Sequence, residues 1–399
     1  MVSPPTLGAP VRRTAATLPL VVLILAVALN LRPGATTVGP LLPEIREAVG
    51  LNGFTAGLLT ALPPLCFAVF GPLAPRLARR FGAALALAAG MLMLAAGLAG
   101  RSLAAGPVLF LLLTTLAMAG IAVANVLLPS VVKQGFPARA GLMTGLYSTF
   151  LTLGATAGAA FAVPAAEALG SWRNGLAVWG AIALVAAVPA LRARRGTGRA
   201  EGGRRTLPPL RRSPTARALA VFFAVNATAA YTTMGWLAQI YRDAGYSAHT
   251  AGLLLALCVA VGVPLAFALP VLAVRTRDQR ALVVGLVATG VAAYTGLALW
   301  PGTAPWLWAL LAGVSQSAFP LSLALIGMRA RTGEGVTLLS SFAQSTGYLC
   351  AIPGPIIVGV AHEWTGGWIV PMGFLLALLV PALVCGLRAA SPHTVEDEL

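Results

Sequence analysis

Apolar runs about as long as a bilayer is thick recur along this chain from end to end, separated by short polar breaks. That recurrence constrains the fold more than any single motif. A helical crossing needs about 20 consecutive apolar residues. Windows of that size give twelve spans, at 17–43, 54–74, 82–100, 106–130, 140–163, 173–191, 217–240, 250–273, 281–300, 304–328, 336–360 and 368–388. Only 10% of the 399 residues are charged, where soluble domains carry about 25%. Gly and Pro occur inside the spans, as membrane helices allow when neighbouring helices satisfy the freed backbone groups. The expected fold is an all-α membrane protein.

A net charge of +16 invites a nucleic-acid reading, but its distribution argues otherwise. With an inward N-terminus, 22 of the 27 basic residues fall on the cytoplasmic side, nine of them arginines between Arg192 and Arg217. Arg46, Arg101, Arg173 and Arg242 fall outside, and Arg32 falls within the membrane. This asymmetry follows the positive-inside rule and predicts both termini in the cytoplasm of a multi-pass cell-membrane protein. The basic run is read as an orientation signal and linker, with no nucleic-acid partner. Arg12 and Arg13 before an apolar run imitate a signal peptide, but no small-residue cleavage site follows, so the segment is read as span 1. Cys66, Cys258, Cys350 and Cys385 all sit in spans with no metal-ligand spacing, and are read as small apolar fillers. No metal or cofactor is expected.

The chain repeats itself. Residues 50–62 (GLNGFTAGLLTAL) match 245–257 (GYSAHTAGLLLAL) at eight of thirteen positions, an offset of 195. LLPEIREAVG (41–50) aligns with WLAQIYRDAG (236–245) at the same offset. The organisation expected is a tail (1–16), a six-helix bundle (17–191), an Arg-rich linker (192–216), a second, pseudo-symmetric six-helix bundle (217–388) and a tail (389–399). At this offset Arg32 aligns with Ala227 and Glu44 with Gln239, so the intramembrane charge belongs to one half only.

Arg32 is the leading candidate for function. It lies about 22 Å into span 1 at 1.5 Å per residue. A guanidinium does not shed its proton, and at mid-membrane it costs about 2.5–3.5 kcal/mol or more. It suits a charge-assisted clamp on an anion or a polarised oxygen; capping of helix carbonyls, a bond to a neighbouring helix, or snorkelling are the structural alternatives. Pro33, with Gly34, supplies a kink beside it. Asn30, also a candidate for substrate binding, is two residues away on another helix face, which favours a bond to a neighbouring helix. Further polar or aromatic candidates are Asn125, Tyr147, Ser148, Asn226, Tyr231, Trp236, Gln239, Gln316, Gln344 and Tyr348. Gln344 and Tyr348 share a face, as do Trp236 and Gln239. For each of these, cavity lining and interhelical bonding are both open. The eleven acidic residues fall outside the apolar cores, so no intramembrane proton relay is evident. The expectation is a facilitator or exchanger, or proton coupling through Glu44 or the solute.

Gly71-Pro-Leu-Ala-Pro-Arg76-Leu-Ala-Arg79-Arg80-Phe-Gly82 resembles the loop 2–3 motif of the major facilitator superfamily. Pro75 stands where that motif normally carries an aspartate. The segments NLRPGATTVGPLLPEI (30–45), NVLLPSVVKQGFPARAGLMTGLYS (125–148) and AQSTGYLCAIPGPIIVGVAHEWTGGW (343–368) resemble the cyanate/2-nitroimidazole transporter family. The resemblance implies twelve transmembrane helices in the major facilitator fold, spans 1, 4, 7 and 10 lining a central cavity with 5, 8 and 11 beside them, and rocker-switch alternating access. It also implies a gating role for Gly71, Arg76, Arg79 and Arg80.

The sequence thus reads as a monomeric secondary active or facilitative transporter of a small polar or anionic solute, cyanate-like or nitroimidazole-like. A broad-specificity drug or metabolite exporter is the alternative within transporters. A membrane sensor or a membrane enzyme represents other classes; no HExxH, no GxSxG with His and Asp partners, and no paired intramembrane carboxylates support catalysis.

Overall fold

A computed structural model describes residues 17–136, 139–192, 210–276 and 278–398, and among them the regular structure is entirely helical. The N-terminal tail and most of the proposed linker lie outside the described residues. Twelve helical crossings follow one another. Ten of these, from Leu18–Val49 through Ile369–Ala389, are long and apolar enough to cross a membrane. The other two are span 6 (Trp172–Arg192) and the broken span 11 (Gly333–Ala351 and Pro353–Thr365).

The helices run beyond several expected ends because polar caps extend them past the apolar stretch. Asn52 accepts from Thr55 N (2.8 Å) at the start of Gly53–Phe70, and Ser213 from Ala216 N (3.1 Å) at the start of Pro214–Asp243. Span 1 ends at Gly50 and span 7 two residues before Gly245, with φ of 75° and 93°. The aligned glycines of the two repeats thus make the same left-handed turn, which a side chain would strain.

Crossings 1, 10 and 11 are interrupted. Span 1 divides into Thr17–Asn30, Pro33–Thr36 and Leu42–Val49, span 10 into Pro305–Gln316 and Ala318–Met328, and span 11 at Ile352. Pro33 and Pro353 lack the N–H that would bond one turn back, and Pro320 sits just past the break in span 10.

Within the first half, spans 3, 4 and 6 pack together, with span 2 against 4 and span 1 against 5 and 6. In the second, span 7 packs on 11 and 12, span 9 on 10 and 12, and span 8 on 10. The halves meet through spans 2 and 11, and through 5 and 8. Leu112, Phe161, Val185, Val274 and Val380 are exposed on the outside, as suits a surface solvated by lipid tails.

Candidate functional site

A cavity of about 770 Å³ lies between the halves. Its lining reaches Pro72 and Pro75 at the span 2–3 turn and Ser340 and Ser341 early in span 11. Those elements lie on the face where span 1 begins and span 12 ends, so the cavity opens there. The opposite, far face is shut.

The far-face seam follows from glycine. A Cβ on Gly57 would stand 2.6 Å from Ile356 Cα and 2.7 Å from the Pro355 carbonyl, and one on Gly359 2.3 Å from the Gly53 carbonyl. Spans 2 and 11 therefore touch backbone to backbone. Two polar contacts cross the same seam: Arg242 pairs with Glu44 at 2.6 Å, and Gly53 N donates to Glu363 at 2.7 Å. His362 stacks on Trp368 (4.0 Å, 16°), and Trp368 donates to Asp243 at 2.9 Å.

Arg32 reaches the cavity because span 1 breaks around it. Its backbone (φ −120°, ψ −34°) leaves the helical path, and its carbonyl accepts from Ala35 N and Thr36 N at 3.0 and 3.1 Å. The side chain lines the cavity and pairs with no carboxylate among the described residues. It interacts instead with the Tyr231 hydroxyl, which in turn faces Tyr348. Tyr348 sits in an aromatic corner: Phe67 stacks on it (5.1 Å, 21°), Phe223 meets it edge-on (5.0 Å, 87°), and Tyr231 lies 6.5 Å away. A fixed cation beside flat aromatic walls can hold a small planar solute carrying negative oxygen character.

Of the other sequence candidates, Asn125, Tyr147, Ser148, Gln316 and Gln344 also line the cavity. Gln316 donates to the Cys258 sulfur at 3.3 Å, and Gln344 to Ser340 at 2.6 Å. Four candidates lie elsewhere. Asn30 is buried and donates to Ala26 O of its own helix (2.9 Å), where a neighbouring helix was expected, because the preceding turn offers a carbonyl at four-residue spacing. Trp236 is 0% exposed behind His362 and Trp368, and Gln239 donates to Asp243 at 2.7 Å. Both belong to the far-face seal: their shared helix face, read correctly from spacing, points toward that seal. Asn226 donates to Phe222 O at 2.8 Å. Gly71 lines the cavity mouth, and Arg76, Arg79 and Arg80 are exposed with no ion pair among the described residues.

Two features were not anticipated. Cys258, read as filler, lines the cavity. Arg101, assigned to the outer side by counting charges, is 0% exposed and reaches into span 1. A positive-inside count cannot separate a loop arginine from one folded inward at a helix end.

The Major Facilitator Superfamily model matches residues 23–355. The chain belongs to the major facilitator superfamily. Within it, the chain is 36% identical over 367 residues to the 2-nitroimidazole transporter of Escherichia coli (strain K12), covering 90% of this chain and 92% of that one. It is 35% identical to the "Uncharacterized transporter YycB" of Bacillus subtilis (strain 168), covering 90% of each, and 30% identical to the cyanate transport protein CynX of E. coli (strain K12), covering 93% and 97%. These identities place it in the group of facilitators that contains those transporters. A solved structure of a bacterial homolog to the human lysosomal transporter Spinster superposes with a TM-score of 0.78 at 17% identity, covering 95% of this chain and 97% of that one. That likeness fixes the fold. The protein is a multi-pass membrane transporter of the major facilitator type for small solutes.

Proposed function

We propose that this facilitator moves a small planar polar solute or anion, nitroimidazole-like or cyanate-like, by alternating access. The carrying observation is Arg32, a cation in the cavity with no carboxylate partner among the described residues, beside the Tyr231 and Tyr348 hydroxyls. A nitro group or a cyanate supplies the missing negative oxygen or nitrogen, and the Tyr348 corner supplies flat apolar contact. Relatives named for 2-nitroimidazole and cyanate transport support the same chemistry.

The two halves, joined by the Arg-rich linker, would rock about the cavity. The face carrying the termini would be cytoplasmic, since most basic residues fall there. Both walls of the cavity come from one chain, which favours a monomer as the transport unit. Glu44, paired with Arg242, would act first as a far-face latch. Proton coupling through Glu44 is tested by a pH jump in proteoliposomes: solute-dependent proton flux that persists in Glu44→Gln removes it from the relay.

A thermal-shift titration with 2-nitroimidazole and cyanate tests the anchor. Specific binding stabilises the folded protein by RT ln(1 + [L]/Kd). Wild type should shift upward and Arg32→Ala should not. Equal shifts in both proteins would rule Arg32 out as the anchor.

A further inference from the structure

We propose that Arg101 is a positioning residue for Arg32, holding open the break in span 1 from which Arg32 enters the cavity. The inference rests on the reading of Arg32 as the solute anchor.

The break leaves a backbone acceptor unserved. In a continuous helix Val38 N would bond the Gly34 carbonyl. Here Val38 N bonds Ala35 O at 3.3 Å, a tighter step. Arg101, the last residue of span 3, takes the vacant place: Nη1 donates to Gly34 O at 3.0 Å, and Nη2 to Thr37 Oγ1 at 3.3 Å. Thr37 Oγ1 passes its own proton on to Pro33 O at 2.8 Å. One guanidinium therefore serves two carbonyls of the turn that follows Arg32, one directly and one through Thr37.

The surroundings rule out a casual contact. Arg101 is wholly buried, pairs with no carboxylate among the described residues, and keeps Nε without a partner. A buried, unpaired cation is expensive, and burial of a carbonyl without a donor is expensive too. The geometry resolves one against the other. The turn also packs closely on span 4: a Cβ on Gly34 would lie 3.2 Å from Met118 Cε and 3.4 Å from Ile121 Cδ1. The turn after Arg101 is anchored in its own right, since Arg173 donates to Ser102 O (2.8 Å) and Ala104 O (2.7 Å) and stacks over Trp172 at 4.5 Å. The series runs from Arg173 to the span 3 end, to Arg101, to the Pro33–Thr37 turn, to Arg32.

The test compares wild type with Arg101→Met, which keeps length and loses the donors, and with the milder Arg101→Lys and Thr37→Val. Two readouts are taken on protein that remains monodisperse. The first is the rate of phenylglyoxal modification at Arg32 by mass spectrometry, with exposed Arg79 as internal control. The second is 2-nitroimidazole uptake in proteoliposomes, with and without Arg32→Ala. Arg101→Met should change Arg32 modification by about threefold or more with Arg79 unaltered, and raise KM about tenfold with Vmax within about twofold. Arg101→Lys should recover part of the loss, and Thr37→Val should move both readouts in the same direction by less. In the Arg32→Ala background Arg101→Met should add nothing further to KM. Unchanged Arg32 modification in folded Arg101→Met, or in Thr37→Val and Arg101→Lys if the methionine variant does not fold, overturns the proposal. If modification changes but Arg32→Ala leaves uptake intact, the positioning role stands and the anchor reading falls.

Discussion

Span 1 and span 7 hold the same place in the two halves of this transporter. Span 7 is a single 30-residue helix, Pro214–Asp243, with its only proline at the start, where no intrahelical donor is needed. Span 1 is interrupted at Pro33, and Arg32 sits in the gap. At the position matching Arg32, span 7 carries Ala227, which is 0% exposed. One turn further on it offers Tyr231, whose hydroxyl meets Arg32. The repeat thus keeps what packing requires, including the glycine turn at the end of each span, and relinquishes what chemistry requires. A charged side chain reaches a membrane cavity with irregular backbone beside it, because freed carbonyls and a re-aimed side chain come together at a break. The opposite half needs only a rigid wall.

The largest effect should come from erasing this difference. Arg32→Ala is expected to lower uptake of 2-nitroimidazole by about a hundredfold, since losing one partner of a desolvated charge contact costs about 2–5 kcal/mol. Moving the charge, with Arg32→Ala and Ala227→Arg together, should not restore it. Restoration would mean that the break is dispensable. The second effect lies where the halves meet. Gly57→Val places atoms against the Ile356 backbone and should prise the far face open. Labelling of a cysteine introduced by Thr60→Cys, with an impermeant maleimide added from the far face, should accelerate about tenfold if the closed population falls by that factor. Unchanged labelling with normal transport would show that the glycine seam is not what seals. The third is smaller. Glu44 and Arg242 tie the far-face end of span 1 to that of span 7 but are partly exposed, and such pairs contribute up to about 1 kcal/mol. Arg242→Gln should raise the same labelling by about two- to fivefold, and the swapped pair Glu44→Arg with Arg242→Glu should return it to the wild-type rate.

The spans, the repeat and the broken, charged character of span 1 were legible because each depends on local composition. Arg32, Tyr231, Gln316, Gln344 and Tyr348 were identified as cavity candidates for that reason. What was not legible depends on the direction in which a helix face points. Trp236 and Gln239 share a face, but only packing against spans 11 and 12 determines that it meets the seal. Asn30 looked able to bridge helices, yet satisfies its own helix. Arg101 was hidden by its place at a helix end, where a sequence does not distinguish an arginine in water from one folded inward. Cys258 was passed over because a thiol reads as a small apolar side chain until the cavity is drawn around it.

The smallest effect concerns how the two spans begin. Span 7 starts under a clasp from the C-terminal tail: Glu398 accepts from Ser213, from Thr215 N at 2.9 Å and from the Thr215 hydroxyl at 2.8 Å, and pairs with Arg388 at 3.0 Å. Burial alone would raise this carboxyl, but the hydrogen bonds from Ser213 and Thr215 and the charge of Arg388 together hold it below the usual carboxylate range. Thr394, with Arg331 adding, does the same for Asp397. A carboxyl lowered by folding contributes stability that is present above its ordinary value, about 4, and is lost as pH falls through the lowered one. Tail docking should therefore hold at pH 6 and fail below about pH 4. The amide of Val395, bonded to Arg329 O at 2.9 Å, reports this directly. Its hydrogen-exchange protection, corrected for the intrinsic rate, should drop across that window, and Glu398→Gln should lower it at pH 6 as well. Protection that is the same at pH 6 and pH 3 would mean that span 7 is held by its own Ser213 cap and its packing, and that its steadiness relative to span 1 owes nothing to the tail.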